Sequence, residues 1–96
     1  MFLDNIYKFQ LYVAGDAQNS RLAVGNLSAF CLKYLPEQHE IEIVDVFQQP
    51  ERALAESIFM TPTLVRRAPT PARRVVGTLS QAQTFLQAMG MGNLAA

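Results

Sequence analysis

The sequence predicts an α/β fold, a four-stranded mixed sheet with its elements in the order βαβαββα, and three observations predict it. Tyr7–Val13 and Ile41–Val46 alternate apolar and polar residues as half-buried strands do. Ser20–Leu35 and Gln81–Met89 instead repeat apolar residues every three or four positions, as helices do. The first long helix stands between two strands, an arrangement that favours a parallel pair joined by a crossover. The chain has 96 residues, 50% hydrophobic and 17% charged, which suffices for one core and not for two. A single domain spanning 1–96 is therefore expected, with an ordered core over about 7–89 and a loose tail over 90–96.

The first strand, Tyr7–Val13, ends in a continuous apolar run and gives way to the turn-rich Ala14–Asn19, where Asn19 or Ser20 is expected to cap the next helix. That helix carries Val24, Leu27, Cys31 and Tyr34, with Ala23 and Phe30 beside them, as one stripe that can cover a sheet. Gly25 weakens it by about 1 kcal/mol relative to alanine, and Pro36 ends it. After Ile41–Val46, Pro50 suits the first turn of a short helix and Glu51 its positive end. Met60–Val65 is β-rich with Pro62 at its mouth, where a cis bond is feasible. Arg66 to Arg74, interrupted by Pro69 and Pro71, reads as the connection to a last strand, Arg73–Val76, closed by Gly77. Ser80 is expected to cap a final helix whose Ala82, Phe85, Leu86 and Met89 share one face. This order is that of a thioredoxin-like domain, and fold alone names no function.

Composition excludes several classes. No apolar run approaches the ~20 residues of a membrane-spanning helix, and the start Met1-Phe2-Leu3-Asp4 lacks the pattern of a secretory signal, so a cytoplasmic location is expected. One cysteine, Cys31, cannot form an internal disulfide or a Cys-x-x-Cys pair, and with a single histidine, His39, no metal site or cofactor is expected. Net charge is zero, yet all eight acidic residues lie between Asp4 and Glu56, and everything after Ser57 holds only Arg66, Arg67, Arg73 and Arg74. The stretch beyond Arg74 carries no charged side chain, which suggests that part of it meets another surface.

Thioredoxin-like chemistry needs a thiol in the loop before the first helix, whose amino end lowers a cysteine pKa. Ala14–Ser20 contains no sulfur, and Cys31 falls about three turns further on, within the apolar stripe, as a core thiol. Ser20 has no neighbouring histidine to activate it. His39 reads as an exposed loop residue, and Asp45 as a helix-capping or hairpin-supporting carboxylate rather than an acid or base. Four arginines without interleaved aromatics, in a neutral chain, make a poor nucleic-acid surface; they read as a solvated hairpin or a contact for an acidic protein partner, or as charges that protect a sheet edge.

Several ordered motifs go beyond composition. Leu11-Tyr12-Val13-Ala14-Gly15, Asn19-Ser20, Val44-Asp45-Val46, Pro50, Thr61-Pro62-Thr63-Leu64, Pro69, Pro71, Arg73-Arg74 and Gly77-x-Leu79-Ser80 together resemble the KaiB family over nearly the whole chain. The resemblance implies a non-enzymatic protein that binds the ATPase KaiC, with a KaiA-like protein or a histidine kinase as further partners. It also implies two folds, the thioredoxin-like one and a tetrameric ground-state form whose carboxyl-terminal half, from about Pro50, is rearranged. Proline isomerisation at Pro62, Pro69 and Pro71 would slow their exchange. This chain departs from the family in the weakly charged Ala53–Ile58, in Gln81 where Asp is common, in the missing acidic tail, and in Ala88 where glycine is frequent. Alanine favours a helix over glycine by about 1 kcal/mol, so a thioredoxin-like resting form is expected. The expected recognition surface combines Asn19 and Arg21, Glu56 and Ser57, and the strand edge at Ile41 and Ile43. Rival readings are a KaiB-like paralogue without a clock role, acting in a stress response or by self-association, and a glutathione-binding enzyme with Thr61-Pro62 lining its cleft.

Overall fold

A computed structural model describes residues 6–90. The elements run β1 (Tyr7–Val13), α1 (Gln18–Tyr34), β2 (His39–Asp45), α2 (Pro50–Ala55), β3 (Thr63–Ala68), β4 (Arg73–Val76) and α3 (Ala82–Ala88). One four-stranded sheet has the order β2-β1-β3-β4, with β1 and β2 parallel and the other pairs antiparallel. This is the predicted thioredoxin-like arrangement. The expected loose tail beyond Gly90 lies outside the described residues.

The pleat sorts side chains between two layers. Phe9, Leu11 and Val13 of β1 meet Ala23, Leu27, Phe30 and Cys31 of α1, with Leu64 of β3 and Phe85, Leu86 and Met89 closing the same core. On the opposite face, Tyr12, Val44 and Val65 form a smaller cluster against which Ile58 and Val46 pack. Along α3, Phe85, Leu86 and Met89 are buried as expected, whereas Ala82 is exposed. Ala88, helical and half-buried, occupies the position where the resemblance implies glycine. The bonds Thr61–Pro62, Ala68–Pro69 and Thr70–Pro71 are all cis.

Four expectations change. Neither Asn19 nor Ser20 caps α1, which begins at Gln18 after Ala17 without a side-chain cap. Ser20 is instead buried, and its Oγ accepts the Ala14 amide at 3.1 Å, so the hydroxyl ties down the loop from inside the helix. Ser80 does not cap α3, which follows Gln81; its Oγ pairs with the Thr78 hydroxyl at 3.0 Å. His39 is the first residue of β2, and its Nδ1 lies 2.7 Å from the Leu35 carbonyl, joining the strand to the end of α1.

The fourth correction concerns the arginines. β3 extends to Ala68 rather than ending at Val65, and a bulge against β1, between the pairs Lys8↔Ala68 and Phe9↔Arg66, leaves Arg67 as the extra residue. Arg66 pairs across with Arg73, and Val65 with Arg74. Successive residues point to opposite faces, so Arg66 and Arg73 face α3 while Arg67 and Arg74 face α2. A solvated hairpin does not describe Arg66, which is only 5% exposed, whereas Arg73 and Arg74 are exposed on the edge strand β4.

Candidate partner-binding surface

The end of the sheet at which β1 and β2 finish gathers three loops. Asp45 organises two of them, because its Oδ1 accepts the amide of Gly15 at 3.2 Å and that of Phe47 at 2.9 Å. Gly15 has φ +57, and a methyl group there would lie 3.6 Å from the Phe47 ring. Glycine is favoured there by the left-handed turn, since a methyl at that distance would make only ordinary contact with the ring. Asp45 thus supports two loops, and does not cap α2, which begins after Gln49 without a side-chain cap.

The third loop precedes β3. Thr63 pairs with Tyr12 and Val76, and the Gly77 amide donates to the Pro62 carbonyl at 2.9 Å, which brings Phe59 and Met60 to the same end of the sheet. Thr63 Oγ1 donates to the Met60 carbonyl at 2.6 Å. Phe59, Met60, Thr63, Arg74 and Val76 surround a shallow hollow of about 150 Å³. Phe59 is 84% exposed and Phe47 74%, and Leu54, Met60 and Val76 are exposed with them. Large side chains held open to water on ordered loops are the kind of apolar surface that a partner covers.

No thiol serves this end. Cys31 is fully buried in the main core, and burial pushes its pKa up to about 12. A thiol so protonated and enclosed is a poor nucleophile. Titration of the native protein with a thiol-specific disulfide reagent is expected to leave Cys31 unmodified over minutes and to modify it fully after unfolding; prompt reaction in the native state would refute the core assignment.

Charged groups lash α2 across the sheet. Arg52 of α2 makes a bidentate pair with Glu42 of β2, at 2.7 and 3.0 Å. Gln10 of β1 donates to Glu42 at 3.1 Å and accepts from Arg67 of β3 at 2.7 Å. Glu56, at the end of α2, pairs with Arg67 and lies 3.6 Å from Arg74 of β4, whose guanidinium also bonds the Glu56 and Ser57 carbonyls. All four strands contribute.

Hydrogen bonds from Arg52 first and Gln10 second lower the Glu42 pKa from the usual 4.5 to about 2. A carboxylate stabilised in the folded state contributes fully above its unfolded pKa, and the contribution disappears as pH falls. Glu42→Gln should therefore lower the denaturant midpoint at pH 6, by an amount that shrinks between pH 4.5 and about 2. A gap that stays constant down to pH 2 would show that the carboxylate charge is not responsible.

The sites anticipated from sequence lie on three separate elements. Asn19 and Arg21 are exposed on the first turns of α1. Glu56 is engaged by two arginines, while Ser57 is exposed with φ +56 at the exit of α2. Ile41 packs against the main core, and Ile43 is 43% exposed on the edge strand β2. Among the described residues no hydrogen bond joins these three groups. Phe47, Phe59 and Met60 were missed, although two aromatics in short turn-flanked loops were a readable signal.

Among the described residues no helix is long and apolar enough to cross a membrane, and no cluster of His, Cys, Asp and Glu is arranged to hold a metal.

A family model described as the KaiB domain matches residues 10–91. Circadian clock protein KaiB3 of Synechocystis sp. is 38% identical over 77 residues, covering 80% of this chain and 76% of that protein. Circadian clock oscillator protein KaiB of Prochlorococcus marinus subsp. pastoris is 35% identical over 80 residues, covering 83% and 75%. Among solved structures, the N-terminal domain of Synechococcus elongatus SasA superposes over 100% of this chain and 90% of its own, with a TM-score of 0.77 at 18% identity. Mitochondrial thioredoxin 3 of Saccharomyces cerevisiae covers 90% of this chain and 78% of its own, with a TM-score of 0.70 at 14% identity. Both structural likenesses concern the fold alone.

Proposed function

The chain belongs to the KaiB family, and from that premise we propose that it is a non-enzymatic interaction module that binds a KaiC-type ATPase in circadian or related signalling. The observation that carries this reading is the make-up of one end of the sheet: a loop without sulfur beside the exposed Phe47, Phe59 and Met60. An enzyme of this fold would need a reactive group there, and a binding module needs apolar surface. Asn19, Arg21, Glu56, Ser57 and the strand edge at Ile41 and Ile43 supply further polar and backbone contacts in the proposal. A KaiA-like protein or a histidine kinase would be a further partner of the same module.

The test is size-exclusion chromatography and calorimetry of the purified chain with a KaiC-type ATPase from the same organism. A defined complex is expected; its absence at tens of micromolar would overturn the reading. Glutathione titrated under the same conditions should give no heat of binding, and a saturable isotherm would favour the enzyme alternative. The second reading is a KaiB-like paralogue outside the clock that self-associates or serves a stress response. The uncharged stretch beyond Arg74 favours it.

A further inference from the structure

Arg66 and Arg73 stand opposite one another on the face of the β3–β4 hairpin that α3 covers. Like charges directly across a strand pair destabilise it, and Arg66 is only 5% exposed. Among the described residues no carboxylate lies within ion-pair distance of either guanidinium. Negative charge comes instead from backbone carbonyls. Arg66 Nη1 donates to the carbonyl of Met89, the residue that ends α3, and Nη2 donates to that of Pro71 at 2.7 Å. Its Nε has no partner among the described residues. The Met89 carbonyl lies at the carboxyl end of α3, where the helix carries the partial negative charge that a cation prefers. Gly90 completes the arrangement: it turns with φ +70, and a methyl group there would approach Arg73 Nε to 3.1 Å.

We infer that Arg66 is the clamp that holds the carboxyl end of α3 on the sheet, and that α3 opens locally when the clamp is lost. The other end of α3 is reached through a strained connector. Leu79 has φ +64 and Gly77 φ +120, and Asn26 of α1 fixes the connector by donating to the Thr78 carbonyl at 2.8 Å. The helix is thus anchored at its entry by α1 and at its exit by a buried cation that regains water whenever the exit lifts. Desolvation, followed by the charge of Arg73, lowers the Arg66 pKa, consistent with a cation under electrostatic stress.

Amide hydrogen exchange on the full chain tests the clamp. In Arg66→Met, protection of the Phe85, Met89 and Gly90 amides should fall at least tenfold while the β1–β2 amides keep theirs. Arg66→Lys retains the charge but reaches one carbonyl, so it should give a smaller loss at the same amides, and it remains informative if the methionine variant fails to fold. Unchanged or increased protection of α3 in both variants would overturn the inference. So would an equal loss across the sheet, because the effect would then be global rather than a local release.

Discussion

Phe85→Ala is expected to destabilise the protein by about 3–5 kcal/mol, the range found when a buried phenylalanine is truncated in a core that relaxes incompletely. Phe85 is 3% exposed and meets Phe30 of α1 edge-on, with ring centroids 4.4 Å apart and planes at 88°. That geometry adds about 0.5–1.5 kcal/mol to simple burial. The remaining purchase of α3 would rest on Leu86, Met89 and the Arg66 clamp. A domain of this size is stable by about 5–15 kcal/mol, so the variant should fold, with a melting temperature lower by on the order of 15 °C or more. The slope of the urea curve separates two forms of the result. If the variant keeps α3 docked, the slope matches the parent; if α3 has already left in the native state, less surface remains to be exposed and the slope falls. A loss below about 1 kcal/mol with an unchanged slope would mean that α3 contributes little to the core.

Why some of this architecture was legible follows from the range of the forces involved. β1 and β4 match their sequence boundaries, and α2 begins at Pro50 as expected, because alternation and proline act locally. The caps failed for a different reason. Ser20 and Ser80 are good capping residues in isolation, but each hydroxyl bonds a group on its amino-terminal side, the Ala14 amide and the Thr78 hydroxyl, in place of a free amide of its helix. The arginines failed for a third reason. Two Arg-Arg doublets look like one basic cluster in a linear reading, yet strand pleating sends alternate members to opposite faces, and only the cross-strand register makes Arg66 and Arg73 neighbours. Glu42 and Glu56 likewise find their cations only once α2 lies across the sheet. The sulfur-free loop was legible because an absent residue type needs no geometry, whereas the apolar surface beside it required knowing which aromatics stay exposed.

Phe59→Asp is expected to weaken binding to a KaiC-type ATPase at least ~30-fold while leaving stability within about 0.5 kcal/mol of the parent. The stability half follows from exposure: a side chain 84% open to water has little folded-state packing to lose. The binding half follows from what a covered phenylalanine contributes, since side chains of this type bury about 150–250 Å² at roughly 25 cal/mol per Å². Binding-site truncations that matter cost about 2 kcal/mol or more, and every 1.4 kcal/mol is tenfold in affinity. An aspartate there would also have to shed water against an apolar partner, which adds to the cost. Leu32→Asp provides the control. Leu32 is 71% exposed on α1, away from the three loops, so it matches Phe59 in exposure and differs in place. A loss confined to Phe59→Asp, with the same direction in Met60→Asp, would locate recognition at the end of the sheet where β1 and β2 finish. Equal losses for Leu32 and Phe59 would mean that affinity tracks general surface hydrophobicity, and no loss for either would remove these loops from the interface.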